Sequence, residues 1–219
     1  LVTEEPLLLV GAHGTGKSLL LTRISEALHL QFRHYNSSLL NFDDLVGFPL
    51  PTADGSLDYI KTPAAIWGTE AVIFDEISRC RPDMQNKLFP IVHERRVQGI
   101  LLEGLRYRWA AMNPPVSDED DTGYVGSEPL DPALADRFAF VLDMPGWEQF
   151  DEEEQPAVIR GNNGTVGAEA ADRLRRGIGL ARAALPAVGK SIGEPVSCYT
   201  RTVVALLAQS GLPLSPRRA

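Results

Sequence analysis

Residues 7–18 read Leu7-Leu8-Leu9-Val10-Gly11-Ala12-His13-Gly14-Thr15-Gly16-Lys17-Ser18. Four apolar residues lead into the pattern G-x-x-x-x-G-K-[ST]. Lys17 to Leu30 follows with Leu20, Ile24, Ala27 and Leu28 at helical spacing, leaving Arg23 and Glu26 for the outside. The pattern alone can arise as a chance glycine-rich turn. In this setting it predicts a buried strand, a glycine-rich loop and a helix whose first N–H groups point at an anion. Glycines allow the backbone from Gly11 through Ala12, His13, Gly14, Thr15, Gly16, Lys17 and Ser18 to Leu19 to close on phosphate oxygens. Lys17 would reach the β/γ oxygens, and the Ser18 hydroxyl is a candidate Mg²⁺ ligand. The expected ligand is a nucleoside triphosphate.

A second apolar run, Ala71-Val72-Ile73-Phe74, ends in Asp75-Glu76. Two carboxylates at the end of a buried strand reach the sheet edge that also holds the loop. Their side chains leave the strand in opposite directions, which predicts different tasks. Asp75 is the candidate metal ligand, directly or through water, and Glu76 the candidate for polarising an attacking water. An acidic helix start is the structural alternative. A third run, Arg108-Trp109-Ala110-Ala111-Met112, ends in Asn113-Pro114, and that amide could orient water or sense the γ-phosphate. Residues 130–138 predict a short helix delivering Arg137, with a salt bridge to Asp136 or Asp143 as a further option.

Strands are predicted at Leu7–Val10, Phe32–Tyr35, Ala71–Phe74, Arg108–Met112 and Phe138–Leu142. Alternation with helical segments argues for a parallel α/β sheet. Two hairpins interrupt it. One spans Gly47 to Lys61; the other spans Val97 to Tyr107 with its turn at Glu103-Gly104. Beyond Trp147 the chain turns helical, over Ala168 to Leu185 and Cys198 to Gln209, with loops at 161–164 and between Pro186 and Pro195. The expected division is a nucleotide-binding core over residues 1–146 and a helical lid over 147–219. The chain begins with Leu1 almost at the first strand, which suggests a segment of a longer protein.

At 219 residues and 44% hydrophobic composition the chain can bury a proper core. No apolar run approaches a membrane span, so no membrane insertion is expected. Net charge is −8, of which the acidic stretch Asp118 to Glu154 contributes −12. Its dense runs, residues 118–121 and 151–154, read as solvated turns or an acidic helix start, or else as a dock for a basic partner. Nothing resembles a basic nucleic-acid footprint. Cys80 and Cys198 are far apart without metal-ligand spacing, and free thiols in a cytoplasmic protein are expected.

This series of motifs resembles the AAA+ ATPases, and within them the MoxR-type group related to magnesium chelatase ATPase subunits. Gly11 to Ser18 is similar to Walker A and Val72 to Glu76 to Walker B. Asn113 is similar to sensor 1, and Arg137, in Ala135-Asp136-Arg137-Phe138, to the arginine finger. The two hairpins resemble that group's helix 2 and pre-sensor 1 insertions. Leu214-Ser215-Pro216-Arg217 resembles its sensor 2 element, with Arg201 the second choice, and the lid would then be truncated. The resemblance implies ATP with Mg²⁺ and hydrolysis. It also implies a homo-oligomeric ring, usually hexameric, whose active sites are completed by a neighbour's Arg137. Relatives commonly work with a von Willebrand factor A-domain protein as remodellers or in metal insertion.

Two other classes remain open from sequence. A P-loop small-molecule kinase would place phosphate on a metabolite rather than release it. A switch module would use nucleotide only to set assembly, and Glu76→Gln would then leave its function unchanged.

Overall fold

Leu8 and Leu9 are neighbours in the chain and lie in different cores. In this computed structural model, which describes residues 1–55, 57–114, 130–160 and 165–212, Leu8 packs in one apolar cluster with Val72, Phe74 and Ala110. Leu9 packs in another with Ala71, Ile73, Trp109 and Ala111. That alternation is what a strand buried on both faces produces. It belongs to a sheet of five parallel strands, β1 (Leu7–Val10), β2 (Phe32–Asn36), β5 (Ala71–Asp75), β8 (Tyr107–Met112) and β9 (Phe140–Asp143), of which β5 and β8 are likewise buried while β9 is an exposed edge. Their order across the sheet is β2-β5-β8-β1-β9. Helix α1 (Lys17–Ala27) covers one face. Helices α2 (Phe42–Val46), α3 (Pro82–Glu94) and α4 (Pro132–Ala135) contribute Leu45, Met84, Leu88, Ile91 and Leu134 to the other.

The first expected hairpin is β3 (Phe48–Pro51) with β4 (Leu57–Ile60). The second is β6 (Arg96–Val97) with β7 (Ile100–Leu101), so its turn is Gln98-Gly99 and not Glu103-Gly104. Both turn residues have positive φ, 48° and 81°, which suits a tight two-residue hairpin turn. Leu102 and Leu105, on either side of Glu103-Gly104, are buried and anchor the return into β8. The Tyr59 hydroxyl donates to Gln98, joining the two hairpins.

Two further expectations are corrected. On α1 it is Leu21 that is fully buried, while Leu20 is 42% exposed beside the β9 edge. Helical spacing defines a stripe but not which residue centres it, and the sheet lies on the Leu21 side. The predicted break between Pro186 and Pro195 is absent, because α6 runs unbroken from Ala168 to Gln209 with both prolines inside. Each proline removes one N–H from the ladder, but the Ala- and Leu-rich stretches on either side of the pair favour helix and carry the chain through. The first half of α6 holds the core. Arg175 donates to the Ala27 carbonyl at the end of α1. Arg182 donates to Val2 (3.1 Å), Leu1 (2.9 Å) and the Tyr107 hydroxyl (2.6 Å), and pairs with Glu4 at 2.9 Å. These contacts lie at the end of the sheet opposite the glycine-rich loop. Among the described residues no helix is long and apolar enough to cross a membrane.

The Asp151 carboxylate accepts from the N–H groups of Glu153 and Glu154, just ahead of α5 (Gln155–Arg160). The 151–154 run is therefore an exposed capping turn. The 118–121 run and the 161–164 loop lie outside the described residues.

Candidate functional site

The loop after β1 passes close under Met144, where a Cβ on Gly11 would meet that side chain at 2.8 Å. It enters α1 through Gly16 at φ 78°, a left-handed conformation that glycine adopts without penalty. Thr15 Oγ1 donates to the Ala12 carbonyl at 2.9 Å and staples the loop. Lys17 is buried, and its Nζ donates to the carbonyls of Gly11 (2.7 Å) and Ala12 (2.8 Å) and to Asn113 Oδ1 (3.2 Å). The ammonium thus sits in the concavity of its own loop. Burial lowers its pKa, and the nearby charges of Asp75 and Glu76 work against that shift.

Asp75 lies at the end of β5 beside the start of α1, and its Oδ2 accepts from Ser18 Oγ at 2.6 Å. His34, from β2, places Nε2 at 3.3 Å from the same oxygen, and the Glu76 N–H donates to Oδ1 at 2.9 Å. Burial alone would raise the Asp75 pKa. The bonds from His34, Ser18 and Glu76 outweigh it and hold the carboxyl below its ordinary value, so it is ionised at neutral pH. In a continuing strand Glu76 would point away from Asp75. Instead its backbone takes φ 52°, left-handed, and the chain leaves the sheet into a short turn, Ile77–Arg79. Such a conformation costs a non-glycine residue roughly 1–2 kcal/mol. It brings Glu76 to the same cleft as Asp75, with Arg79 Nη1 at 3.9 Å from its carboxylate.

One cleft of about 180 Å³ is lined by His13, Gly14, Gly16, Lys17, Ser18, Leu19, Asp75, Glu76 and Asn113. It collects residues from three separated stretches of sequence at the carboxyl edge of β1, β5 and β8. Asn113 is buried and joined to the loop twice, through Lys17 and through a 3.0 Å hydrogen bond between its Nδ2 and His13 Nε2. The donor set fits a hydrated divalent cation. Ser18 and Asp75 offer one hydroxyl and one carboxylate, and the described residues include no cluster of three or more His, Cys, Asp or Glu that would cage a metal. Mg²⁺ typically takes one or two protein oxygens and completes its shell with phosphate and water.

Two of the expected site residues stand elsewhere. Arg137 follows α4; its guanidinium donates to the Ala133 carbonyl and lies over the Phe89 ring at 4.5 Å. Arg201 lies on α6 with Val196, Ser197, Thr200 and Val204, about 28 Å beyond Arg182 at 1.5 Å per residue. Arg217 is outside the described residues. Sequence reasoning did not single out His34 or Arg79, which touch the two carboxylates. Finding His34 required knowing that β2 pairs with β5. Cys80 is buried and Cys198 exposed, and both are free.

The architecture matches the AAA domain family, dynein-related subfamily, over residues 6–138. The chain belongs to that family. The match spans every residue of the cleft. A solved structure of a provisionally assigned ATPase from Cytophaga hutchinsonii is similar in fold, with a TM-score of 0.52 and 24% identity. The similarity covers 73% of this chain and 46% of that one, so the present chain corresponds to under half of that protein's length. No curated protein matches the chain.

Proposed function

We propose that this AAA domain binds ATP with Mg²⁺ in the Lys17–Asp75–Asn113 cleft and hydrolyses it. The observation that carries the reading is convergence: Lys17, Ser18, Asp75, Glu76 and Asn113 line one cleft although they span residues 17 to 113. Lys17, held in the concavity of its own loop, would meet the β/γ oxygens. Ser18 and Asp75 would hold the cation, which would supply charge neutralisation at the phosphates. Glu76, brought to the cleft by its left-handed backbone, is positioned to take a proton from water. Asn113, buried between Lys17 and His13, can orient that water or report the γ-phosphate to β8.

We further assign the domain to a MoxR-type, ring-forming ATPase that remodels a partner protein or matures its metal cofactor. The two hairpin insertions and the dynein-related family membership support this assignment. The ring would be homo-oligomeric, by family expectation hexameric, with Arg137 serving a neighbour's cleft. A von Willebrand factor A-domain protein is the expected partner. Arg217, with Arg201 as second choice, would act as sensor 2. The cytoplasm is the expected compartment.

The test is phosphate release by wild type and Glu76→Gln. The variant should bind ATP as wild type does and release phosphate more slowly by about a hundredfold or more, the lower bound of the general-base range. Undiminished hydrolysis by Glu76→Gln would refute the assignment of the base. Phosphate appearing on an added metabolite would refute hydrolysis itself.

A further inference from the structure

We propose that His34 is a positioning residue for the metal side of this cleft. From the neighbouring strand it fixes the Asp75 carboxylate, and through it the Ser18 hydroxyl, in the orientation that receives the divalent cation of a nucleotide complex. The proposal rests on the nucleotide reading above. Strand β2 pairs with β5 so that His34 lies opposite Ile73 and Asn36 opposite Asp75. This puts the imidazole and the carboxylate on the α1 face of the sheet, one register step apart. An ionised carboxylate only accepts hydrogen bonds, so His34 Nε2 carries the proton in its 3.3 Å contact with Oδ2.

The carboxylate is then held from three directions. Ser18 Oγ comes from α1 at 2.6 Å, His34 Nε2 from β2 at 3.3 Å, and the Glu76 N–H from the strand exit at 2.9 Å. Three of roughly four lone-pair positions are filled. With its proton committed to Asp75, Ser18 turns its oxygen lone pairs to the cleft, as a metal ligand must. A carboxylate's terminal torsion is otherwise broad. Without His34, Oδ2 keeps a single partner and the Ser18–Asp75 pair can turn together away from the cation. The protein's grip on the metal rests on a hydroxyl and a carboxylate, so the orientation of each matters more than in a site with four side-chain ligands. Outer partners of this kind typically contribute 10–100-fold in metal affinity.

The experiment measures Mn²⁺ binding to the full chain in the presence of a saturating non-hydrolysable ATP analogue, from the electron paramagnetic resonance signal of free Mn²⁺. Wild type is compared with His34→Ala and His34→Gln, and thermal melting confirms that all three are folded. The Ala variant should bind Mn²⁺ about tenfold more weakly, with affinity for the analogue in EDTA unchanged. The Gln variant, whose amide N–H reaches about as far as Nε2, should recover most of the loss. Equal Mn²⁺ affinity in folded wild type and His34→Ala, or equal loss in both variants, overturns the role of His34. A wild type that binds Mn²⁺ no better with the analogue than without it overturns the nucleotide reading, and this proposal falls with it.

Discussion

Replacing Lys17 by Met tests whether this cleft is built for phosphate. The side chain is only 8% exposed, and Met keeps most of its volume while removing the charge. The Lys17 ammonium donates to the Gly11 and Ala12 carbonyls, at 2.7 and 2.8 Å, and to Asn113 Oδ1 at 3.2 Å. These bonds organise the loop, and a phosphate oxygen would exchange with one of them for an ammonium proton. What the ligand gains is one cation beside its β/γ oxygens, worth about 4 kcal/mol for unit charges 4 Å apart at an effective dielectric near 20. At about 1.4 kcal/mol per tenfold, Lys17→Met should weaken ATP by about 10³. Fold stability should move little, within about 1 kcal/mol, because the variant loses three hydrogen bonds, to Gly11, Ala12 and Asn113, and also the cost of burying an ammonium. A fluorescent ATP analogue titrated in Mg²⁺, with a thermal melt on the same samples, reads both quantities. Affinity within tenfold of wild type, in a protein melting at the wild-type temperature, would refute the electrostatic account of the loop.

Arg137→Ala should leave ATP binding intact and lower hydrolysis of the assembled protein by about 10³ or more; mixing it with Glu76→Gln subunits should restore part of the activity, and no rescue would count against action in trans. Leu21→Ala, at a fully buried position between α1 and the sheet, should cost about 2–5 kcal/mol in a denaturant titration. Burial pushes the Cys80 thiol up to about 11, so iodoacetamide at pH 8 should label Cys198 and spare Cys80 until the protein is denatured, as mass spectrometry would show. An unfolded Cys80 releases its proton near pH 9 while the folded one holds it to about 11, so the folded state should lose stability as pH rises through that window.

The inner strands were legible because parallel strands covered on both faces, as β5 and β8 are, must be apolar nearly without interruption; the edge strands β2 and β9 are far more exposed. Each predicted centre lies within an observed strand, and the differences fall at the ends. Phe138, for example, turned out to be a buried residue after α4, with β9 starting at Phe140. The cleft was legible for a different reason. Glycines, a lysine and paired acids at strand exits are local signatures, and the parallel topology brings local signatures at one edge together. Contacts set by strand order rather than by local pattern could not be read. His34 reaches Asp75 only because β2 lies beside β5, and the Arg79–Glu76 pair exists only because Glu76 turns left-handed. The proline-bounded segment of α6 misled for a further reason. Helix propensity summed over 42 residues outweighed two breakers that a local reading treats as decisive.

Charge explains why the proposed motor would need a second copy of itself. The side chains lining the cleft include one full cation, Lys17, against the carboxylates of Asp75 and Glu76, with Arg79 at 3.9 Å behind Glu76. A triphosphate would add about four negative charges and the metal two positive ones, which leaves the loaded site negative as charge develops on the transferred phosphoryl group. The chain's Arg137 is held over Phe89 and capped by Ala133, outside the cleft lining. Both contacts hold the guanidinium near the end of α4. If copies associate as proposed, Arg137 of one would face the negative cleft of another. Assembly would supply the missing charge at the moment of reaction. On this account an isolated subunit binds ATP and turns it over slowly, and the hydrolysis rate per subunit should rise with protein concentration as copies associate. A rate per subunit that stays constant across the association range would show that a single chain carries all the charge its chemistry needs.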